Sequence, residues 1–420
     1  MTTAYVTVGL GFGDEGKGAT VHHLVKKTGA TWVVRYSGGC QCAHTVKLAD
    51  GRTHKFAQWG AGTFAGANTY LGPNVVVDPV AMRREEQVLV GLGVVPHTLD
   101  SSRNTPNISV HPRALVTNIY AIYLNRLKET LRGNARHGSC GYGIGETRSY
   151  ALRYGSDAIR AEDTTDYSLL CDKLSLMRER FLAEIAELAE KHITLDDVIP
   201  QMKRSPDTIL PCEVAKSLHQ SMMIESYFEP HGCPVVFEGA QGTLLDEWHG
   251  FHPHTTWSTV TDEHAYEMIP SNYDVRTIGV TRAFTTRHGA GPLPTEFSSD
   301  ALVDPNNPRN DWQGGFRWGH LDMTLLDYAA SCQVRLDSLS LTWLDALVDG
   351  KCKIAVRDEP LRRQLYPNLD RQSKILQRLE PPKIIEVSRS ELFDRIEEAT
   401  GAVVAITGEG PTEDDYRWVD

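Results

Sequence analysis

Near the N-terminus the chain reads Gly9-Leu10-Gly11-Phe12-Gly13-Asp14-Glu15-Gly16-Lys17-Gly18, a segment in which every second or third residue is glycine and which also carries two acids and a lysine. It follows an apolar run, residues 4–8, that is typical of a buried strand, and it precedes residues 19–27, whose helical spacing ends near Gly29. A glycine-rich turn between a strand and a helix directs backbone N–H groups and a helix N-terminus at an anion. The stretch therefore predicts an α/β protein with a P-loop-like phosphate-binding turn.

Two general nucleotide-binding patterns fit this turn only in part. Residues 11–16 match G-x-G-x-x-G, but the second expected strand, residues 31–36, carries Arg35 where a dinucleotide site has an acid. The turn also matches G-x-x-x-x-G-K, but Gly18 stands where that motif has Ser or Thr for Mg²⁺. A purely structural turn would gain nothing from two acids and a lysine. Because a carboxylate beside a phosphate repels it unless it holds a metal or takes a proton, Asp14 is the first candidate for catalysis.

Composition limits the class of protein. The chain has 420 residues, a net charge of -11, 41% hydrophobic and 23% charged residues, which is typical of a globular protein rather than of a general nucleic-acid binder. No apolar run reaches the length of about 18 residues that a membrane span needs, and the N-terminus enters the first strand directly, so we expect no membrane partner and a cytoplasmic location. The eight cysteines form no C-x-x-C pair, so we expect reduced thiols rather than zinc ligands.

The alternation of strands and helices predicts a mostly parallel central sheet with helices on both faces and a helical insertion at about residues 112–230. We expect one domain over residues 1–420. Further expected strands are residues 74–78, 233–237, 278–284, 339–343 and 402–406, with a hairpin at 44–48 and 53–58. Expected helices are residues 79–92, 112–131, 320–332, 389–399 and most of 166–228, with breaks near 192, 200 and 211. Residues 133–145 are expected to be a loop, 359–382 to be irregular, and 301–318 to be a mobile loop.

Glycine-rich, polar stretches follow several of these strands, and α/β proteins place their sites at such positions. Residues 37–45 follow the second strand, residues 238–243 follow the strand at 233–237, and residues 285–292 follow the strand at 278–284. His44 lies in the first of these stretches. A hydrogen-bonded loop histidine is the alternative to a functional one, and its place after two glycines favours function.

Taken together, the motifs resemble those of the adenylosuccinate synthetase family over nearly the full length of the chain. The segments that carry the resemblance occur in the family's order: residues 13–18, 38–45, 141–145, 238–246, 286–292, and 341–345 together with 408–411. Several of these segments are long and specific.

The resemblance implies a nucleoside-triphosphate-dependent ligase that works in two steps. The triphosphate phosphorylates O6 of a 6-oxopurine nucleoside monophosphate, and the amine of L-aspartate then displaces that phosphate at C6. Asp14 matches the family's base at N1 and its Mg²⁺ ligand, His44 matches the acid on the phosphoryl group, and Ala43 matches a residue whose backbone carbonyl reaches the metal. The chemistry supports this pairing, because O6 is a poor nucleophile until N1 loses its proton. The family also implies a homodimer.

The resemblance assigns further residues to substrates. Gln41 stands where the family has Asn, Ser139 and Cys140 stand where it has two threonines, and Arg153 matches an arginine that reaches a phosphate in the neighbouring subunit. Arg317 is the arginine that remains in the aspartate-binding loop, with His320 or Arg282 as further candidates. The expected nucleotide-binding residues are Gly13, Glu15, Gly16, Lys17, Gly18, Gln41, Ser139, Cys140, Arg153, Gln241, Thr256, Arg287, Trp343, Asp345, Gly408 and Gly410.

Two departures from the family leave the substrates open. Trp343 replaces the lysine of a Thr-Lys-x-Asp sequence that grips guanine, and because an indole stacks on any purine, GTP and ATP are both candidate donors. A viral branch of the family joins aspartate to dGMP, making N6-succino-2-amino-2'-deoxyadenylate on the route to 2-aminoadenine DNA, and it can use ATP or dATP. Many of its members replace the catalytic Asp, whereas this chain keeps Asp14. IMP and dGMP are therefore both candidate acceptors. If the chain is viral, its expected location is the cytoplasm of the host cell.

Two other classes of function remain as alternatives. A non-catalytic purine-nucleotide-binding or sensor protein on the same fold is suggested by the aspartate loop, residues 311–320, which keeps one arginine. A different phosphotransferase on the same scaffold would release a nucleoside diphosphate without needing aspartate. The pair Asp14 and His44 favours the ligase over the sensor, because a protein that only binds does not need both.

Overall fold

The computed structural model describes residues 2–95, 107–191, 208–299, 302, 304, 306, 307, 309, 312–364 and 368–419. Its centre is a nine-stranded sheet in the order β18-β17-β14-β10-β1-β9-β2-β5-β7, in which all neighbours are parallel except β17 and β18. The strands are β1 Thr2–Gly9, β2 Trp32–Arg35, β5 Asn68–Leu71, β7 Ile108–Val110, β9 Val235–Glu238, β10 Tyr273–Arg282, β14 Ser338–Thr342, β17 Val403–Gly408 and β18 Tyr416–Trp418. The glycine-rich turn follows β1, a central strand.

Three smaller sheets surround the central one. The largest of the three has the strand order β11-β13-β15-β16, with β12 paired to β13. The other two are the hairpin β3-β4 and the parallel pair β6-β8. These strands are β3 His44–Lys47, β4 Thr53–Phe56, β6 Val76–Val77, β8 Leu115–Val116, β11 Phe284–His288, β12 Glu296–Phe297, β13 Phe316–Asp322, β15 Lys351–Val356 and β16 Lys383–Ser388. The hairpin at residues 44–58 confirms the prediction that its Asp-Gly turn gave.

Ten α-helices lie within the described residues. They are α1 Lys17–Thr28, α2 Pro79–Gly91, α3 Ile119–Arg132, α4 Ile144–Tyr154, α5 Tyr167–Lys191, α6 Pro211–Leu218, α7 Glu263–Tyr266, α8 Met323–Ser331, α9 Leu369–Arg378 and α10 Arg389–Thr400. The helix α1 begins after Gly16 (φ 99°) and ends at Gly29 in the left-handed region, as the sequence predicts. The helix α2 begins at Pro79, and the Asp78 side chain accepts hydrogen bonds from the backbone N–H groups of Val80 and Ala81.

Helices cover both faces of the central sheet, because alternate residues of its strands point to opposite sides. Val33 and Val236 belong to an apolar cluster with Val21, Leu24 and Val25 of α1. Their neighbours Val34, Val235 and Phe237 belong to a second cluster, on the other face, with side chains of α8 and α10: Leu325, Leu326, Leu392 and Ile396. The mostly parallel sheet with helices on both faces is confirmed.

The helical insertion shares an apolar cluster with the adjacent edge of the central sheet, which contributes Leu71 of β5 and Val110 of β7. The cluster also includes Tyr120, Leu124 and Leu127 of α3, together with residues of α4, α5 and α6. The helix predicted at 112–131 begins seven residues late, at Ile119, because the Asn118 side chain caps it by accepting a hydrogen bond from the N–H of Tyr120. Residues 219–228 form no helix, and the breaks expected near residues 192 and 200 lie outside the described part of the chain.

Two stretches differ from the prediction. The strand expected at 278–284 ends at Arg282, and residues 284–288 form the separate strand β11, which pairs antiparallel with β13. Residues 369–378 form α9, which buries Gln372 and Leu376 one turn apart, and Asn368 caps it by accepting from the N–H of Arg371. The mobile loop predicted at 301–318 lies largely outside the described residues, while residues 316–318 belong to β13.

None of the described helices combines the length and the apolar character that crossing a membrane requires.

Burial of His23 predicts an acid-dependent loss of stability. Its ring packs 6.2 Å from that of Tyr416, and burial, reinforced by Lys27, lowers its pKa to about 4. Between an unfolded pKa near 6.5 and a folded pKa near 4 the unfolded chain binds more protons, so this residue removes stability as the pH falls through that window. Burial raises the pKa of Asp262 to about 6, which acts in the opposite sense. We therefore expect the melting temperature of His23→Phe to fall less than that of wild type between pH 7 and pH 5, as measured by thermal unfolding. An equal fall in the two proteins would show that His23 does not cause the acid-dependent loss.

Candidate functional site

The two acids of the glycine-rich turn have different environments. Glu15 folds back into the turn, where one carboxylate oxygen accepts from the N–H groups of Gly11 (3.1 Å) and Gly13 (2.8 Å) and the other pairs with the Lys17 ammonium. Asp14 has a left-handed backbone (φ 61°), and its carboxylate makes no hydrogen bond or ion pair with the described part of the chain. Glu15 therefore shapes the turn, and Asp14 is the acid that remains available for chemistry.

Close packing explains why glycine ends the turn where a P-loop has Ser or Thr. A Cβ at Gly18 would lie 2.8 Å from the Cβ of His44 and 2.9 Å from the Thr45 carbonyl oxygen. Gly16 (φ 99°) lies against the Thr342 side chain, whose hydroxyl donates to the Glu15 carbonyl at 2.7 Å. The turn is thus clamped between β14 and the start of β3, and the absence of a side chain at residue 18 brings His44 against α1.

A buried carboxylate orients His44. The Nδ1 of His44 hydrogen-bonds to Oε1 of Glu238, at the end of β9, and Oε2 of Glu238 accepts from the N–H of Ala61 at 3.0 Å. Glu238 is fully buried and His44 is 9% exposed. Both carboxylate oxygens are therefore committed, which fixes the ring of His44 and leaves its Nε2 as the nitrogen that can meet a ligand. Glu238 was not among the predicted functional residues, although its motif, residues 238–246, was.

The pair has a defined protonation at neutral pH. Burial pushes the pKa of Glu238 upward, but the adjacent His44 and, more weakly, Arg35 outweigh it and hold that pKa below its ordinary value. Burial lowers the pKa of His44, and Glu238 offsets part of this effect. The carboxylate is therefore ionised, the imidazole is neutral with its proton on Nδ1, and a nearby anion would raise the affinity of Nε2 for a proton.

Most of the predicted site residues line one cavity of about 1910 Å³. Within the described residues, eleven Lys and Arg side chains line it against seven Asp and Glu, although the whole chain carries a net charge of -11. This local excess of positive charge suits phosphorylated or carboxylated ligands. The predicted residues on its wall are Gly13, Asp14, Glu15, Gly16, Lys17, Gly18, Gln41, Ala43, His44, Ser139, Cys140, Arg153, Gln241, Thr256, Arg287, Trp343, Asp345 and Gly410. Gly408 and Arg317 do not line it.

Two glutamines on the wall have buried amide oxygens without a partner in the described structure. These are the Oε1 atoms of Gln41 and Gln241, and Gln241 also has a left-handed backbone (φ 54°). A buried acceptor without a hydrogen bond costs about 1–3 kcal/mol. A strained residue with an unsatisfied side chain beside a cavity is typical of a position that a ligand completes.

Two predicted arginines are held by the protein itself. Arg287 is buried, donates to the carbonyls of Ala290 (3.0 Å), Pro292 (2.9 Å) and His254 (3.1 Å), and has its pKa lowered to about 9 by burial. Arg317 donates to Glu296 at 3.0 Å and to the Gly291 carbonyl. Both guanidinium groups therefore fasten the loop that follows β11.

The predicted phosphate residues Ser139 and Cys140 lie before α4. The Ser139 hydroxyl exchanges hydrogen bonds with the Asn125 side chain at 2.9 and 3.1 Å. Burial raises the pKa of Cys140 to about 12, so it stays a neutral thiol and a weak donor. Arg153, on α4, has a side chain that is 61% exposed.

An aromatic group lies at the end of β14. Trp343 has a left-handed backbone (φ 62°), its ring lies 5.0 Å from that of Trp318, and the Arg282 guanidinium lies 4.6 Å from its centroid. Asp345 and Gly410 are on the cavity wall beside it. Trp343 thus places an aromatic group on this part of the wall, with the Arg282 guanidinium over one face of its ring.

The donor set for a metal is small. No group of three or more His, Cys, Asp or Glu side chains in the described residues could hold a metal ion. Asp14, whose carboxylate is uncommitted, and Ala43 both line the cavity. Since Mg²⁺ is usually bound by one or two protein oxygens together with substrate phosphates and water, these donors fit Mg²⁺ rather than a transition metal.

A family model described as adenylosuccinate synthetase matches residues 6–383. The chain belongs to the adenylosuccinate synthetase family. Its similarity to curated relatives of that name extends over most of both chains. The enzyme of Synechococcus sp. is 33% identical over 365 residues (84% of this chain and 77% of that one), and the enzyme of Clostridium perfringens is 28% identical over 434 residues (97% of each).

Two solved structures share the fold. A fully ligated adenylosuccinate synthetase from Plasmodium falciparum matches with a TM-score of 0.77 at 19% identity, covering 99% of each chain. The succinoaminodeoxyadenylate synthetase (PurZ) of cyanophage S-2L, bound to dGMP and dATP as an energy donor, matches with a TM-score of 0.60 at 17% identity, covering 100% of this chain and 95% of that one. The chain is thus a purine-nucleotide ligase of the adenylosuccinate synthetase type, as the sequence predicts.

Proposed function

We propose that this ligase joins L-aspartate to C6 of a 6-oxopurine nucleoside monophosphate, with phosphate from a nucleoside triphosphate, through a 6-phosphoryl intermediate. The observation that carries the proposal is the pairing, on one cavity, of the uncommitted Asp14 with a His44 that Glu238 orients. The family membership supports the reaction class. A protein that only bound nucleotides would need neither a free carboxylate nor a buried carboxylate–imidazole pair.

Asp14 and His44 have separate roles in this reaction. The Asp14 carboxylate takes the proton from N1, so that electron density moves to O6, which attacks the terminal phosphorus of the triphosphate while the nucleoside diphosphate leaves. The Nε2 of His44 hydrogen-bonds to the phosphoryl oxygens, whose negative charge draws a proton onto it. The neutral amine of aspartate then attacks C6 and loses a proton to solvent. The bond between C6 and O6 breaks, and phosphate departs with O6 while the protonated His44 stabilises its charge.

The remaining assignments belong to the same proposal. Lys17 and the turn at residues 13–18 bind the triphosphate, and Trp343 stacks on its base. Asp14 and the Ala43 carbonyl would hold Mg²⁺, which would neutralise charge on the phosphates. We also propose that residues 1–420 act as one domain in a cytoplasmic homodimer, in which Arg153 meets a phosphate bound by the partner subunit.

The experiment that tests the proposal is a grid of substrates. Purified protein with Mg²⁺ and L-aspartate is given IMP or dGMP as acceptor and GTP or ATP as donor, and phosphate release and product mass are measured. We expect aspartate-dependent phosphate release and a succinylated product with at least one pair, because the catalytic pair is complete. Turnover with IMP and GTP identifies an adenylosuccinate-forming enzyme whose Trp343 accepts guanine, and turnover with dGMP and ATP identifies the 2-aminoadenine route.

Omission of single components supplies the controls. Phosphate release that persists without aspartate would favour a different phosphotransferase. Nucleotide-dependent thermal stabilisation without phosphate release in any combination would favour the sensor alternative. Either result would contradict the proposed reaction, since both steps are required for a succinylated product.

A further inference from the structure

Arg126 extends from α3 into the cavity wall and is held there by two contacts. Its Nε donates to the carbonyl of Gly141 at 3.0 Å, and its guanidinium lies 5.4 Å from the ring centroid of Trp312. Gly141 has φ +75°, and a Cβ there would lie 3.0 Å from Trp312, so this loop lies flat on the indole. Arg126, Trp312 and the neighbouring Gln313 all line the cavity.

No acid in the described part of the chain pairs with the charge of Arg126. Within the described residues it forms no ion pair, whereas five of the ten other Lys and Arg side chains on the wall face carboxylates: Lys17 with Glu15, Lys128 with Glu146 and Glu184, Arg132 with Glu129, Arg153 with Glu184, and Arg282 with Asp304. Glu129, on the same helix as Arg126, is fully buried, and its other oxygen accepts from the N–H groups of Gly138 and Ser139. The guanidinium of Arg136 lies 6.0 Å from the same Trp312 ring, which adds positive charge here.

The segment that contains Trp312 also contains Arg317, and the two residues point to different places. Arg317 is fastened to Glu296 and to the Gly291 carbonyl, and it does not line the cavity. Trp312 and Gln313 do line it, and the guanidinium that contacts Trp312 comes from α3 rather than from the segment itself. The guanidinium that lies beside Trp312 on the cavity wall is therefore that of Arg126, on α3 of the helical insertion.

We propose that Arg126 binds a carboxylate of the amino-acid substrate, an inference that rests on the proposed ligase function. A planar guanidinium binds a carboxylate through two parallel N–H groups, and the Gly141 carbonyl engages only Nε, which leaves the Nη groups for the ligand. The Trp312 face fixes the plane of the guanidinium and shields one side of the ion pair from water. Arg126 thus acts in binding and orientation of aspartate, not in proton transfer.

Steady-state kinetics of Arg126→Gln test this inference. We expect the KM for L-aspartate to rise by about tenfold or more, with the KM values for both nucleotides within about twofold of wild type, and Arg126→Lys to lie between the two. Lys128→Gln is the matched control, because Lys128 lies on the same helix and cavity but is paired with two carboxylates. Its KM for aspartate should stay within about twofold of wild type.

A binding measurement separates this inference from the proposed function. Succinate carries the two carboxylates of aspartate but no amine to react, so its affinity in the presence of bound nucleotide can be measured by calorimetry even if no substrate pair turns over. Wild type should bind succinate, and Arg126→Gln should bind it about tenfold more weakly or not at all. An unchanged aspartate KM and succinate affinity would overturn the inference, and so would a rise confined to the KM of the nucleoside monophosphate, which would assign Arg126 to its phosphate.

Discussion

Asp14→Asn is expected to lower kcat by roughly 10²–10⁴-fold, the usual contribution of a positioned acid or base, while the melting temperature stays close to that of wild type. The amide keeps the shape of the carboxylate but cannot take a proton from N1. Asn is the appropriate replacement because it tolerates the left-handed backbone at this residue (φ 61°). No hydrogen bond or ion pair within the described structure is lost, so stability should not change.

Glu15→Gln is the informative comparison for this experiment. Glu15 is adjacent and carries the same functional group, but its oxygens hold Gly11, Gly13 and Lys17. We expect this variant to lose thermal stability and nucleotide affinity together, since an amide cannot accept on both sides. Phosphate release under the active substrate combination and nucleotide-induced thermal shifts measure both variants. If Asp14→Asn keeps more than about a tenth of the wild-type kcat, Asp14 is not the base.

The central sheet could be predicted from sequence because its information is local. Apolar runs such as residues 4–8 and 402–406 are bounded by glycines, and parallel strands buried on both faces consist of such runs. The second sheet could not be predicted in this way. Its strand β11 carries Thr285, Thr286 and Arg287, whose polar side chains are buried by partners from β13 and from the glycine-rich turn. That pairing is a tertiary effect, and no periodicity within the segment records it.

The site was predictable to the extent that its chemistry lies in contiguous motifs. Asp14, Lys17 and His44 could be found because each stands in a glycine-rich stretch after a strand. Sequence favoured Asp14 as the catalytic acid but could not show that Glu15 shapes the turn, because Glu15 folds back into a space that Gly242 leaves open, where a Cβ would lie 2.2 Å from its carboxylate. The pairing of His44 with Glu238 joins residues 194 positions apart. The polar residue that ends the buried strand at 235–238 was the signal that could have identified Glu238.

Glu238→Gln is expected to lower kcat by at least about 10²-fold through His44, as happens when a buried carboxylate that sets a histidine tautomer becomes an amide. The wild-type carboxylate accepts from both His44 Nδ1 and the N–H of Ala61. The glutamine amide has one oxygen, so if that oxygen keeps Ala61 as a partner, its NH₂ group must donate to Nδ1. His44 then carries its only proton on Nε2 and stays neutral, because an Nδ1 that accepts from the glutamine amide cannot also be protonated. The imidazolium that would stabilise the phosphoryl charge does not form.

The pH dependence of kcat distinguishes this positioning role from a loss of structure. Since Glu238 raises the pKa of His44 against the effect of burial, its removal should move the alkaline limb of the profile, where the imidazolium is lost, to lower pH. Glu85→Gln is the control, because Glu85 is also buried and accepts from two backbone N–H groups at 2.8 Å but lies off the cavity. The Glu85→Gln variant should have a lower melting temperature than wild type but the same alkaline limb in its pH profile of kcat. In a His44→Ala background, Glu238→Gln should reduce kcat no further, and a fully additive loss would show that Glu238 acts by some other route.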